Sequence, residues 1–384
     1  MRYYGLKKDI ASGERRKFVV ENLITLKTNL SKKVPAKTTD QNLLIATWNI
    51  RDFDSNKFGH GYRLDESYYF IAQIISSFDL IAVQEINKNL DGLNRLMYIL
   101  GPNWDFLTTD VTEGSGGNGE RMTFIYDIRR VQFKKIAGEI VLPKNNQIKG
   151  DVQFARTPFI VSFQSGWSKF SLCTVHIYFG SDTGEDLERR INEIDGIAKF
   201  LKKRADDDLE NLLVLGDFNI ISPEHKTMKA LLDNGFEIPS QIKQEPVGTN
   251  TFQTKHYDQI GVRAKSNYFN LGTSRKSAGA YNYYNDVLKD TDFPKYKQYC
   301  IDVLTSQKAN AEKDKQKEAA KTNPDATKIS KLTATIAEFD TIMASDVKLK
   351  DYYFREWKTF QISDHLPMWV EISIDHSDTY LRSI

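Results

Sequence analysis

The chain has 384 residues, more than most single domains, and is 40% hydrophobic, which excludes wholesale disorder and provides for a sizeable core. Its 53 basic and 51 acidic residues sum to a formal charge of only +2, so the net field does not select a polyanion and any nucleic-acid contact requires a local basic patch. Length admits either one large α/β domain with insertions or two domains.

Met1 to Lys8 carries basic residues with no apolar run behind them, and no later stretch approaches a membrane span, so a soluble, cytoplasmic protein is expected. Residues 1 to about 40 read as a helical leader: Phe18, Val19, Leu23, Ile24 and Leu26 recur at helical spacing until Val34-Pro35 breaks the run. Short apolar runs with strand chemistry follow at Leu43 to Ile50, Leu80 to Ile86, Met122 to Tyr126, Phe159 to Phe163, Phe170 to Phe179, Leu212 to Ile220 and Leu366 to Ile374. Several are almost continuously apolar, as strands covered on both faces are. Helical patterns at 66–77, 90–100 and 186–204 separate them, the last with Leu187, Ile191, Ile194, Ala198 and Leu201 in one stripe. This alternation predicts a layered α/β domain. Cys173, inside an apolar run, reads as a small buried hydrophobe; with Cys300 it leaves room for one disulfide at most.

The segment from about 264 to 358 departs from that rhythm. A tyrosine cluster (Tyr281, Tyr283, Tyr284, Tyr296, Tyr299) leads into a Lys/Glu/Ala-rich stretch at 308–321. A turn at Asn323-Pro324 and a second helical stripe, Ile329, Leu332, Ile336, Phe339 and Ile342, follow. The expected organisation is a leader over 1–40 and one catalytic domain over 41–384 interrupted by a helical insertion at about 264–358. Acidic residues alternate with the lysines of the insertion, so its first arm reads as a solvated face and not as a nucleic-acid patch.

Polar residues close the apolar runs: Trp48-Asn49-Ile50, Gln84-Glu85, Glu120-Arg121, Arg156, His176, Gly216-Asp217-Phe218-Asn219, Tyr257-Asp258 and Ser363-Asp364-His365. Layered α/β folds place ligands at such strand ends. In this order the segments resemble the endonuclease/exonuclease/phosphatase superfamily, and within it the deoxyribonuclease I-like branch, over roughly residues 43–263 and 359–374. The resemblance implies a four-layered α/β sandwich, two packed mixed sheets flanked by helices, here with the leader and the helical insertion added before the last strand.

It also implies a metal-dependent phosphodiester hydrolase, foremost a DNA endonuclease in which activated water attacks phosphorus. That chemistry spreads charge over the equatorial oxygens and expels an alkoxide, so it calls for a hard cation, proton-transfer groups and phosphate-binding cations. By resemblance Glu85, Asn49 and Asp364 hold the metal, Mg²⁺ or alternatively Mn²⁺. His365 serves as base or phosphate ligand and is oriented by Asp258. His176, paired with Glu120, protonates the leaving oxygen. Asp217 and Asn219 hold the nucleophilic water and the phosphate, and in some family members the counterpart of Asp217 is the base. Asn49, Arg51 and Arg156 contact the phosphate. Nucleic acid, above all DNA, is the implied partner, with no protein partner indicated.

The chain departs from the archetypal nuclease at two places. Where that enzyme inserts a tyrosine and an arginine into the minor groove, this chain has Asn118, in the loop Gly114-Ser115-Gly116-Gly117-Asn118-Gly119, and Asn87, so duplex docking is expected to differ. The loop lacks a P-loop lysine and reads as a substrate loop. Tyr283 and Tyr284 suggest either stacking surfaces for single strands or packing of the insertion onto the body. Competing functions are an inositol-phosphate or sphingomyelin-type phosphoesterase, an abasic-site repair endonuclease and a non-catalytic binding module. The first is disfavoured by His256-Tyr257-Asp258-Gln259, where inositol-phosphate members carry Pro-x-Trp-Cys-Asp-Arg.

Overall fold

The first strand, β1 (Asn42–Phe53), sorts its side chains by parity: Leu43 and Ile45 enter one apolar cluster, and Leu44, Ala46, Trp48 and Ile50 enter another. A period of two does this in any strand, and a strand apolar in both registers must be covered on both faces. In the computed structural model, which describes residues 1–112, 119–143, 153–208, 210–244, 246–265 and 268–384, that is its position. Ahead of it lie α1 (Leu6–Asp9) and α2 (Gly13–Lys33), the latter ending where Val34 turns extended before Pro35. After it come α3 (Asp65–Ile75), β2 (Leu80–Ile86) and α4 (Asp91–Leu100), then β3 (Trp104–Thr108) and β4 (Arg121–Asp127).

The second half-sandwich follows: β5 (Gln132–Glu139), β6 (Phe159–Ser165), β7 (Ser168–His176), α5 (Gly184–Asp208), β8 (Leu212–Asp217), α6 (Lys226–Leu232), α7 (Ser240–Gln244) and β9 (Asp258–Arg263). Its sheet runs β5-β6-β7-β8-β9. The chain then returns to the first sheet with β10 (Asn270–Leu271) and β11 (Ala278–Ala280). It leaves for α8 (Phe293–Ala319), α9 (Ala326–Met343), α10 (Asp346–Tyr352), a π-helical turn at Tyr353–Trp357 and α11 (Lys358–Gln361). β12 (Met368–Ser373) and α12 (Ser377–Leu381) close it. The first sheet has the order β10-β12-β1-β2-β4-β3, with β11 also on β12.

Each sheet contains one parallel pair, β1 with β2 and β7 with β8, joined through α3 and α5 respectively; the remaining pairs are antiparallel. One core fills the space between the sheets and reaches under α5, where Ile194, Ile197, Ala198 and Leu201 are fully buried. The other lies between the outer face of the first sheet and α2, α3, α4 and the base of α8. The architecture is thus the expected sandwich of two mixed sheets flanked by helices.

The segment 264–358 is more than a helical hairpin, since β10 and β11 extend the first sheet along β12. Phe293, Tyr296, Cys300 and Leu304 seat the first turns of α8 on the body, whereas α9 has no fully buried residue. Several lysines of the hairpin pair with carboxylates of the same hairpin, among them Lys308 with Asp340 at 2.6 Å and Lys328 with Glu318 at 3.0 Å, as on a solvated helix face. Cys173 and Cys300 are both buried and free. No described helix is long and apolar enough to cross a membrane.

Candidate active site

Toward the C-terminal ends of β1, β2, β7 and β8, the side chains facing the space between the sheets change from aliphatic to polar. Gln84, fully buried, donates to Thr174 Oγ1 across the sandwich at 2.8 Å and to Thr47 Oγ1 at 3.2 Å, a satisfied polar layer that ends the apolar core. One step further along, Asn49 Nδ2 donates to Glu85 Oε1 at 2.8 Å and to Asp217 Oδ2, on the opposite sheet, at 3.0 Å.

Strand parity alone would turn Glu85 outward with Ile81 and Val83. It faces Asn49 because its backbone leaves the strand region, with φ at +63°, where the β1/β2 pairing becomes irregular between Asn49 and Phe53. Asp52, also at positive φ, donates its backbone N–H to Glu85 Oε2 at 2.8 Å. Left-handed backbone at two non-glycine residues is strain, and the surroundings hold it. Asn87 Nδ2 binds Asp52 Oδ1 at 3.0 Å and Phe53 O at 2.9 Å, and Arg63 binds the Asp52 carbonyl at 3.0 Å. Asn87 therefore braces the turn under Glu85 and is 8% exposed, so it is not placed to touch a minor groove. Asn118 and most of its glycine-rich loop lie outside the described residues.

Asp217 is the meeting point. His176 Nε2 lies 3.6 Å and His365 Nε2 3.7 Å from the same oxygen, Oδ2, while Oδ1 accepts the Asn219 N–H at 2.9 Å. The side-chain amide of Asn219 turns away to the Ile177 carbonyl at 2.8 Å. Burial disfavours charge on Asp217, but His365 and His176 overcome it and keep its carboxyl below the usual range.

Each histidine has a carboxylate behind it. His365 Nδ1 is 2.8 Å from Asp258 Oδ2, and burial of the imidazole is outweighed by the Asp258 and Asp217 charges, which push its pKa well up. His176 Nδ1 is 3.0 Å from Glu120 Oε2, an ion-pair distance, and Arg156 Nε donates to the same oxygen at 2.8 Å. Burial works against the Glu120 charge, yet His176 and Arg156 hold its carboxyl down to about 2.

The loop carrying His365 is fixed from three sides. Ser363 Oγ donates to the Asn49 carbonyl at 2.6 Å and accepts the His365 N–H at 3.0 Å. Trp48 Nε1 and the Tyr283 hydroxyl both donate to the His365 carbonyl, at 2.9 and 3.0 Å. Tyr284 donates to the Ser363 carbonyl at 2.9 Å. Tyr283 and Tyr284 are buried, so they pack the insertion onto the site loop and offer no ring to a nucleic-acid strand.

Asn49, Glu85, Glu120, Arg156, His176, Asp217, Asn219, Asp258 and His365 are thus brought together. Asp364 and Arg51 stand beside them: Arg51 Nε is 3.7 Å from Asp364 Oδ2, its Nη1 donates to Thr359 at 2.5 Å, and its guanidinium lies 3.8 Å over the Phe360 ring. Among the described residues no hydrogen bond or ion pair joins Asp364 to Glu85 or Asn49.

Sequence reasoning missed Glu193. It is fully buried on α5 and accepts the backbone N–H groups of Ala155 and Tyr178, each at 3.1 Å, tying the Arg156 and His176 segments to one carboxylate. A signal existed: Glu193 lies beside Ile194 within the apolar stripe of the helix, where a charge has to be paired.

Among the described residues two sets of side chains lie close enough together to hold a cation, Glu85 with Glu120 and His176, and Asp217 with Asp258 and His365. Glu120 and Asp258 already serve the histidines. Glu85 fits the role best, because Asn49 Oδ1 beside it is buried with no hydrogen-bond partner among the described residues, an oxygen that a hard cation would satisfy.

No protein-family model matches the sequence. A curated protein of Thioalkalivibrio sp. (strain K90mix) called deoxyribonuclease is 28% identical over 192 residues, 48% of this chain and 47% of its own, so the chain spans about half of that relative's length. The resemblance to the endonuclease/exonuclease/phosphatase superfamily is borne out. Solved structures overlap it more loosely. An endonuclease/exonuclease/phosphatase family protein of Bacteroides thetaiotaomicron is 15% identical, with TM-score 0.49 over 87% of this chain and 98% of that one. A mannosyl-6-phosphatase of the same organism is 18% identical, with TM-score 0.47 over 62% and 90%. The human Nocturnin catalytic domain is 13% identical, with TM-score 0.47 over 61% and 88%. Overlaps this loose say nothing about substrate.

Proposed function

We propose that the chain is a metal-dependent phosphodiester hydrolase acting on nucleic acid, specifically a DNA endonuclease. The supporting observation is the convergence on Asp217: two imidazoles from distant parts of the chain aim Nε2 at one carboxylate oxygen, and each has its own carboxylate at Nδ1. A phosphorus centre between them finds a base, a phosphate ligand and a proton donor already oriented.

In this reading Asp217, kept ionised, orients the attacking water and takes its proton as the new P–O bond forms, with the Asn219 backbone holding its second oxygen in place. His365, kept protonated, donates Nε2–H to a non-bridging phosphate oxygen. His176 hands its Nε2 proton to the departing alkoxide while Glu120, anchored by Arg156, balances the imidazolium. Glu85 and Asn49 would hold the divalent cation, Mg²⁺ or Mn²⁺, which neutralises charge developing on the phosphate. Arg51, tethered to Asp364, supplies a further cation at the rim.

The test is nicking of supercoiled plasmid, with single-stranded DNA, RNA and an abasic duplex in parallel. Cleavage in Mg²⁺ or Mn²⁺ is expected, and its loss in EDTA and in Glu85→Ala and His176→Ala. Folded, metal-loaded wild-type protein that cuts no polymer would sink the reading and leave a small phosphoester or lipid headgroup as substrate. Preferential cutting at the abasic site would replace general nuclease activity with repair.

A further inference from the structure

Of the 22 phenylalanines, only three are exposed among the described residues: Phe58 (55%), Phe179 (42%) and Phe252 (45%). Scattered exposed apolar residues are ordinary on any surface. These three are not scattered, because each connects to Asp364 or His365 through at most two intervening side chains. Phe58 packs 5.8 Å from Phe360, the ring beneath Arg51, and Arg51 pairs with Asp364. Phe252 follows Thr251, whose N–H donates to the Asp364 carbonyl at 2.8 Å. Phe179 meets Tyr257 edge-on at 6.1 Å, and Tyr257 lies 5.6 Å from the His365 ring.

Two of the rings also have a solvent-accessible cation beside them: Lys57 Nζ is 5.0 Å from the Phe58 centroid and Arg355 5.4 Å from that of Phe252. Arg190, 4.7 Å from the Phe179 centroid, is fully buried and bonded to Asp182 and the Phe179 carbonyl, so it braces that ring. A flat apolar face next to a positive charge suits a nucleotide, whose base offers a π face and whose phosphate offers a negative charge. In a duplex the base faces are covered by their neighbours, and a phenyl ring has nothing to stack on. Only unpaired bases present that surface.

Resting on the proposed nuclease reading, we infer that Phe58, Phe179 and Phe252 form a stacking rim around the active site that docks single-stranded DNA. The rim supplies the contacts that the inward-turned Asn87 does not make, and it assigns to exposed phenylalanines the stacking that the buried Tyr283 and Tyr284 cannot perform.

The experiment measures anisotropy of a labelled twelve-nucleotide oligothymidylate in EDTA, where nothing is cleaved, for wild type and for Phe58→Ala, Phe179→Ala, Phe252→Ala and the corresponding tryptophan variants. Alanine is expected to weaken binding about tenfold or more at each position, with tryptophan restoring it. An abasic oligomer of equal length should bind weakly and respond to none of the substitutions. Unchanged affinity in all three alanine variants overturns the inference, as does tighter binding of a twelve-base-pair duplex or of oligouridylate. Wild-type hydrolysis of bis(p-nitrophenyl) phosphate in Mn²⁺, run alongside plasmid nicking, separates the two readings. If both fail while oligothymidylate binding still depends on the rings, the nuclease reading falls and the docking surface stands. Hydrolysis with ring-independent binding removes the docking surface alone.

Discussion

The two histidines rest on different supports. Behind His176, Glu120 is shared with Arg156, so its charge has a permanent counter-ion; behind His365, Asp258 is fully buried and has no ion-pair partner other than that histidine among the described residues. A carboxylate held down by both an arginine and a histidine stays a fixed anion. A carboxylate facing only a histidine forms with it a single titrating unit. The first support suits a group that transfers a proton in each turnover, and the second suits a group that stays charged.

Removing either imidazole tests both halves at once and has the largest expected effect: His176→Ala and His365→Ala should each lower kcat on DNA by about 10² to 10⁴, read by single-turnover cleavage. The supports are then separated by stability. Glu120→Gln leaves the Arg156 guanidinium buried without its anion and should cost about 3–5 kcal/mol. Asp258→Asn strands only an imidazole that is able to give up its proton and should cost clearly less. Urea unfolding of the two variants decides this, and equal losses would erase the distinction.

A smaller effect is expected one layer out. Glu193→Gln keeps one acceptor for the Ala155 and Tyr178 N–H groups and turns an amide donor toward the other. Leaving a buried donor unmet costs about 1–3 kcal/mol, and the shift of His176 should lower kcat about tenfold with KM unchanged. A rise in KM alone would show that Glu193 serves binding and not the alignment of His176.

The smallest effect lies beneath the insertion. Burial lowers Lys358 to about 8 from 10.5, despite Asp290 nearby. Between those values the unfolded chain binds the extra proton, so stability rises with pH across that window. Lys358→Met should remove a rise of about 1 kcal/mol between pH 8 and 9, measured by urea unfolding at the two pH values. An unchanged slope would show that Lys358 is solvated in the folded state.

Seven strands stood out in the sequence because their runs are apolar on both faces. Five did not: β3 and β5 are edge strands partly or largely exposed, β9 is buried but opens on Asp258-Gln259 and so lacks an apolar run, and β10 and β11, of two and three residues, are too short to show a period. The residues of the site were legible because polar groups interrupt apolar runs at Asn49, Glu85, His176 and Asp217. Their relations were less so. Nothing local says that Glu85 turns back through positive φ, that Asn87 faces inward beneath it, or that Arg51 pairs with Asp364 over an aromatic ring.

The sequence by itself determined seven strands with long apolar runs and the polar residues that end them, because parity and composition are local properties of a few successive residues. Only the packing of the two sheets decided that Asn49 reaches Asp217, 168 positions away, and that His365 meets Asp258, 107 positions away. Those contacts cross between strands and between sheets. They exist only once burial of the apolar halves of the same strands has set the distance and register at which their polar ends face one another.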